Sequence, residues 1–266
     1  MVEHREKDST KLIIEENPDL ENPIFIEGLT GIGHIGRTAV SYLIDHKDAK
    51  KFGELISDHF PHWAIVNDNK ELDILKNELY YLERDEKRDI VLLVGDAQSL
   101  DPQGHYEIAH LIVEYLDELG VKDLITIGGY GTGEPIDGEP KVFGVTTSDR
   151  EKEQYKDLEI DFDHSVGQII GATGLLLGIG ERFDMEGIAL LGETPGFLVS
   201  DPKATEAVLE KIDGLLELDI DFENLEEKID ESEEIIKKIK QIHDQVKGQK
   251  EKPGEKSKSK DLGYIG

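Results

Sequence analysis

Apolar residues along this chain fall into short runs, and each run leads into a glycine-bearing loop. PIFIE (23–27) leads into 28–36, IVLLV (90–94) into GDAQ, LITI (124–127) into GGYGTG, and GIALL (187–191) into GETPG. Runs this short, without polar alternation, predict strands covered on both faces. Between them the pattern lengthens to a helical period. A helix is predicted over 34–49. Another is predicted over 104–119, with Ile108, Leu111, Ile112 and Leu116 on one face and Gly120 as its C-cap. A third is predicted over 203–216, where Asp201 and Pro202 supply a cap and a first-turn proline. Strands alternating with helices predict an α/β fold, a three-layer α/β/α arrangement with a largely parallel central sheet. Residues 72–83 fit either an antiparallel strand pair or a short helix.

Two stretches depart from this rhythm. Gly167, Gly171, Gly174 and Gly178 would form one stripe on a helix, where another backbone could approach closely. Residues 222–247 carry Leu225, Ile229, Ile236, Ile239 and Val246 at helical spacing in an otherwise charged segment, an amphipathic helix. It could pack on its own domain or form a coil between subunits. Residues 248–260 contain no aliphatic or aromatic side chain and are expected to be disordered. Hydrophobic residues then return as LGYIG (262–266). An apolar tip on a solvated leash suggests a ligand for something else, against the plainer reading of a frayed end. The chain therefore divides into a lead-in (1–20), an α/β core (21–218), a C-terminal helix (219–247) and a flexible tail (248–266).

Charge narrows the functional classes. The 266 residues carry 59 acidic and 30 basic side chains, a formal charge of −29. Nucleic acid and anionic membranes need basic surface, so neither is an expected partner. The chain has no cysteine, which excludes disulfides, thiolate metal sites and a cysteine nucleophile. Residues 1–11 are charged and do not read as a signal peptide, and no apolar run is long enough to span a bilayer, so a cytoplasmic location is expected.

Motif chemistry is sparse. Gly31, Gly33 and Gly36 match G-x-G-x-x-G between a predicted strand and a predicted helix, the setting of a dinucleotide fingerprint. No second clear strand ends in the acidic residue such a site wants about 20 positions later; residues 51–57 make a poor candidate. Asp96, Gln98 and Glu193 sit just past predicted buried strands, where open α/β sheets place ligand crevices. With Gly31, Gly33 and Gly36 they define one alternative, a nucleotide- or nucleoside-binding enzyme. Asp161, Asp163 and His164 read as an acidic N-cap region before a helix rather than as metal ligands.

Four stretches together resemble a known family. FIEGLTGIGHIG (25–36), GGY (128–130), GATGLL (171–176) and LGETPG (191–196) occur in this order in the archaeal branch of the proteasome assembly chaperone family. That resemblance implies a nucleoside-phosphorylase-like α/β/α core without a reaction or cofactor, and a homo-oligomer that binds the proteasome core particle. It further implies that a C-terminal hydrophobic–tyrosine–any tripeptide enters pockets of the α-ring, with its terminal carboxylate paired to a lysine. Here the candidates are Leu262, Tyr264, Ile265 and Gly266, with Tyr264 third from last rather than second.

Overall fold

The computed structural model describes residues 2–225 other than 8, 68 and 224. In chain order its elements are β1 (Glu3–Lys7), β2 (Thr10–Ile14), β3 (Ile24–Gly28), α1 (Ile35–His46), β4 (Lys50–Ser57), β5 (Ala64–Val66), β6 (Leu72–Ile74), β7 (Asn77–Leu82), β8 (Ile90–Gly95), α2 (Pro102–Glu118), β9 (Asp123–Gly131), β10 (Val142–Thr146), α3 (Asp149–Gln154), α4 (Ala172–Gly180), β11 (Glu186–Thr194) and α5 (Pro202–Leu216). Nine strands form one sheet in the order β1-β2-β4-β7-β8-β3-β9-β11-β10.

The uniform apolarity of the central strands follows from their surroundings. Their side chains alternate between two separate cores. Phe25, Val91, Leu93, Leu124 and Leu191 join a cluster with α2 and α4. Ile24, Ile26, Ile90, Leu92, Ile125, Ile127, Ile188 and Leu190 join a second cluster with α1 and α5. The three-layer α/β/α arrangement is thus built from strands with no wet face.

The expectation of a largely parallel sheet needs correction. Among the described residues only β8–β3, β3–β9 and β9–β11 pair in parallel. The other five ladders of this sheet are antiparallel. The stretch ahead of residue 21 adds β1 and β2 to the sheet, and residues 50–57 and 77–82 join them. This wing packs one face on the α2 side, through Leu12, Ile14, Phe52, Leu55, Leu79 and Tyr81. Its other face carries polar contacts such as Lys51 Nζ with Glu54 (2.9 Å) and Glu78 (2.6 Å). Such half-wet strands show the weak alternation of an antiparallel sheet rather than an apolar run.

The helices lie close to expectation. α2 and α5 each begin with Asp-Pro: Asp101 Oδ1 accepts from Gly104 N at 2.9 Å, and Asp201 Oδ1 from Ala204 N at 3.0 Å. The glycine stripe is shorter than its spacing suggests. Gly171 has a φ of 88°, a left-handed value that no helix continues through, so α4 starts at Ala172. Gly167 therefore lies in the preceding irregular segment. Asp161 precedes no helix either. It bridges to Phe143, and His164 Nε2 lies 2.8 Å from the Gly144 carbonyl, which replaces the N-cap reading.

The two ends of the parallel strands differ. At their starts, the 83–89 turn that feeds β8 holds the chain leaving α5: Arg84 donates to the Leu216 carbonyl and Lys87 pairs with Glu217 at 2.9 Å. Tyr42, late in α1, donates to the Asp221 carbonyl, and Leu225 is buried in the α1–α5 core. The rest of the predicted 222–247 helix, the 248–266 tail and its tip lie outside the described residues. At the opposite end, where the parallel strands finish, the glycine loops gather.

Candidate functional site

These loops enclose a cleft of about 790 Å³ at the C-terminal ends of the parallel strands. One wall is the loop after β3, with Gly31 and Ile32, and Gly36 in the first turn of α1, beside the β9 segment 127–131. The other is the irregular segment 165–170 that leads into α4. Thr173 of α4 and Gln98 complete it. This is where an α/β sheet places a crevice.

The glycines serve close backbone approach. A Cβ at Gly28 would lie 2.1 Å from the Gly36 carbonyl oxygen, and a Cβ at Gly36 would lie 2.6 Å from that of Ile127. Only hydrogens fit there, so β3, α1 and β9 close on one another and form the floor. Gly33 has a φ of 64°, and its carbonyl accepts from Asp201 N at 2.9 Å, tying the β3 loop to α5. Asp201 Oδ2 also accepts from Thr194 Oγ1 at 2.7 Å.

The residues singled out in the sequence separate here. Gly31, Gly36 and Gln98 line the cleft; Gly33, Asp96 and Glu193 are not among its lining residues. Gln98 uses both ends of its amide structurally. Nε2 donates to the Thr30 carbonyl at 2.6 Å, and Oε1 accepts from Ala172 N at 2.9 Å, capping α4. Asp96 pairs with Arg37 at 2.8 Å. Glu193 Oε2 accepts from Lys141 N at 3.0 Å, on the β10 side of the sheet. The cleft lining contains no charged side chain, only apolar groups, backbone, hydroxyls and two glutamine amides.

Two features escaped the sequence reading. Glu27, the one charged residue of the PIFIE run, is fully buried beneath the floor. Its Oε1 accepts from Leu29 N at 2.9 Å, and Thr173 Oγ1 lies 3.4 Å from Oε2. Burial pushes this carboxyl up to about 7, against its hydrogen bonds from Leu29, Ile127 and Thr173. An acid inside an otherwise apolar strand, one residue before the glycine turn, was the signal available. The second is His59, whose Nδ1 lies 2.7 Å from Asp101 Oδ2 and whose Nε2 lies 3.5 Å from the buried Glu107 Oε2. The hydrogen bond to Asp101 raises the imidazole above its ordinary value. Residues 59, 101 and 107 come together only because the loop after β4 folds over the start of α2.

Residues 25–240 match the PAC2 family. The chain belongs to that family. Over 254 residues it is 37% identical to an uncharacterized protein of Methanocaldococcus jannaschii, a match covering 95% of this chain and 96% of that one. Pyrococcus furiosus PbaB, described as an archaeal proteasome activator, superposes with a TM-score of 0.83 at 41% identity, over 88% of this chain and 100% of the other. PbaA from the same organism, described as an archaeal homolog of proteasome-assembly chaperone, gives 0.70 at 28% identity, over 92% of this chain and 95% of the other. The resemblance drawn from the four glycine-rich stretches is thereby established as kinship within the archaeal branch.

Proposed function

We propose that this protein is a non-enzymatic proteasome-binding protein, an assembly chaperone or activator of the core particle. In this reading it acts as a homo-oligomer whose tails dock Leu262, Tyr264, Ile265 and Gly266 into α-ring pockets. The observation that carries the reading is the 41% identity to PbaB across the whole of that chain. The chemistry of the cleft is consistent with it. A wall without a charged group offers neither a phosphate clamp nor an acid–base pair, and the two acids suspected from sequence are engaged in structural pairs elsewhere.

The architecture also supports a division of labour. The described chain ends at the strand-start end of the body, away from the cleft, where Tyr42 and the α1–α5 core hold residues 221 and 225. Docking a tail fixes the conformation of several residues, an entropy cost that makes a single copy bind weakly. Several tails on one oligomer gain by effective concentration. Deleting the last three residues and measuring core-particle binding and peptide hydrolysis tests this. The expected result is loss of both binding and any stimulation; undiminished binding removes the tail mechanism.

The position of the cleft favours one other reading, a nucleotide- or nucleoside-binding enzyme. Thermal unfolding with nucleotides, nucleosides and NAD separates the two. A ligand at 100 times its Kd adds about 2.7 kcal/mol of stability, and the proposed function expects no such shift.

A further inference from the structure

The end of the sheet that holds the cleft also carries an arm. Between β4 and β7 the chain leaves the main sheet and forms the two-stranded ribbon of β5 and β6. Its register places Ala64 opposite Ile74 and Val66 opposite Leu72. These four apolar side chains therefore share one face, while Ile65 and Asp73 share the other. An ordinary hairpin turns its apolar face onto a core. This one does the reverse: Val66 is 58% exposed, Leu72 77% and Ile74 58%, with Ala64 exposed as well. Trp63, 61% exposed, stands at the base. A two-stranded ribbon alone is marginal in water, and further strands over its hydrophobic face are what stabilise it.

We propose that the apolar face of this ribbon packs against the same face of a second copy, across a two-fold axis, and that this is a subunit interface of the oligomer. Two arms laid face to face give four strands around a shared apolar layer, the smallest version of a packed pair of sheets. The contact is isologous, so each copy supplies what the other lacks. Charge points to the same occupant. The chain carries −29, yet residues 63–76 hold Lys70 and Lys76 against Asp68, Glu71 and Asp73, a net of −1. Two strongly acidic bodies can meet there with little net repulsion. The area fits also. Taking about 100 Å² for an aliphatic side chain and about 200 Å² for tryptophan, and weighting by exposure, Val66, Leu72 and Ile74 on the face and Trp63 at its base offer roughly 300 Å² per copy. A standard interface buries ~800 Å² per partner, a little over half of it apolar, so the arm supplies most of the apolar centre.

This inference rests on the self-association in the proposed function, and the test separates the two. The variant Val66→Thr/Leu72→Thr/Ile74→Thr keeps strand-forming residues and removes the greasy face. Its mass is compared with that of the complete wild-type chain by light scattering at matched concentration. The expected result is an even-numbered wild-type oligomer and a variant of half its mass, with unchanged far-ultraviolet circular dichroism. A monomeric wild type overturns both this inference and the oligomeric platform. An oligomer whose mass the three changes leave alone overturns only this inference. So does loss of core-particle binding with mass unchanged, which would assign the face to that partner instead. Because the chain has no cysteine, Leu72→Cys gives a second measurement. A bis-maleimide spanning the ~10 Å between packed sheets is expected to join Leu72→Cys chains into covalent dimers and to leave Val199→Cys uncrosslinked, since Val199 is exposed on the loop after β11, several strands across the sheet from β4 and β7. Equal crosslinking of both, or of neither, counts against the arm.

Discussion

Glu27 offers the most quantitative test of how the cleft floor is built. The carboxyl titrates near 7 in the folded protein, against an ordinary 4.5. A folded value raised above the unfolded one means the native state holds its proton longer. Glu27 therefore costs nothing below pH 4.5, where both states are protonated. Its penalty grows as pH rises from 4.5 through 7 and is complete above that. At 1.36 kcal/mol per pH unit of separation the native state loses about 3 kcal/mol across this window. Glu27→Gln keeps the shape and removes the titration. Urea unfolding of both proteins, followed by circular dichroism at equal protein concentration, gives the stability difference at pH 4.5 and pH 8. Whatever offset the amide introduces, the difference between the two proteins is expected to move by about 3 kcal/mol, with the wild type losing ground toward high pH. A difference that stays constant between these pH values would refute the account of a desolvated carboxyl held by Leu29, Ile127 and Thr173.

Three further predictions concern Gly36, Asp201 and His59. Gly36→Ala would drive a methyl group to 2.6 Å from the Ile127 carbonyl oxygen; a loss of about 3 kcal/mol is expected, seen as a fall in Tm of roughly 6–12 °C. Asp201→Ala removes the α5 cap and the partner of the buried Thr194 hydroxyl, a combined cost of about 2–4 kcal/mol in urea unfolding, whereas Asp201→Asn is expected to recover most of it. The raised imidazole of His59, set mainly by its hydrogen bond to Asp101 and aided by Glu107, stabilises the fold fully below about pH 6.5 and loses that contribution as pH rises through the folded value. His59→Gln should therefore destabilise more at pH 5.5 than at pH 8.5, and an NMR titration should place the His59 transition above that of a free histidine.

How much of this was legible in the sequence depended on burial. The central strands announced themselves because both faces are covered: in 90–94 every residue reaches one core or the other. α5 announced itself through its Asp-Pro cap, and α2 through its apolar face and Gly120; the Asp101 cap of α2 is seen only in the structure. The antiparallel wing did not. β1 (EHREK) has no apolar residue, β2 (TKLII) holds only three in succession, and β4 is interrupted by a register shift at residues 51–53. The G-x-G-x-x-G pattern was visible, but its cause was not. Gly36 is required by a carbonyl of β9, some 90 residues further along the chain, and a local motif cannot distinguish that from a phosphate loop. The position of the crevice followed from topology, while its lack of charge depended on where Asp96 and Glu193 turn. Residues 167–170 of that wall belong to the stretch whose glycines suggested a helix, and the left-handed Gly171 is what ends that reading.

The claim that matters most is that this acidic α/β body exists to engage the proteasome core particle. Sedimentation of the complete chain with purified core particle at physiological salt tests it most directly. The account predicts a complex that co-sediments and is displaced by excess of a peptide comprising residues 248–266. Separate sedimentation of the two, with no complex at any ratio, would contradict it.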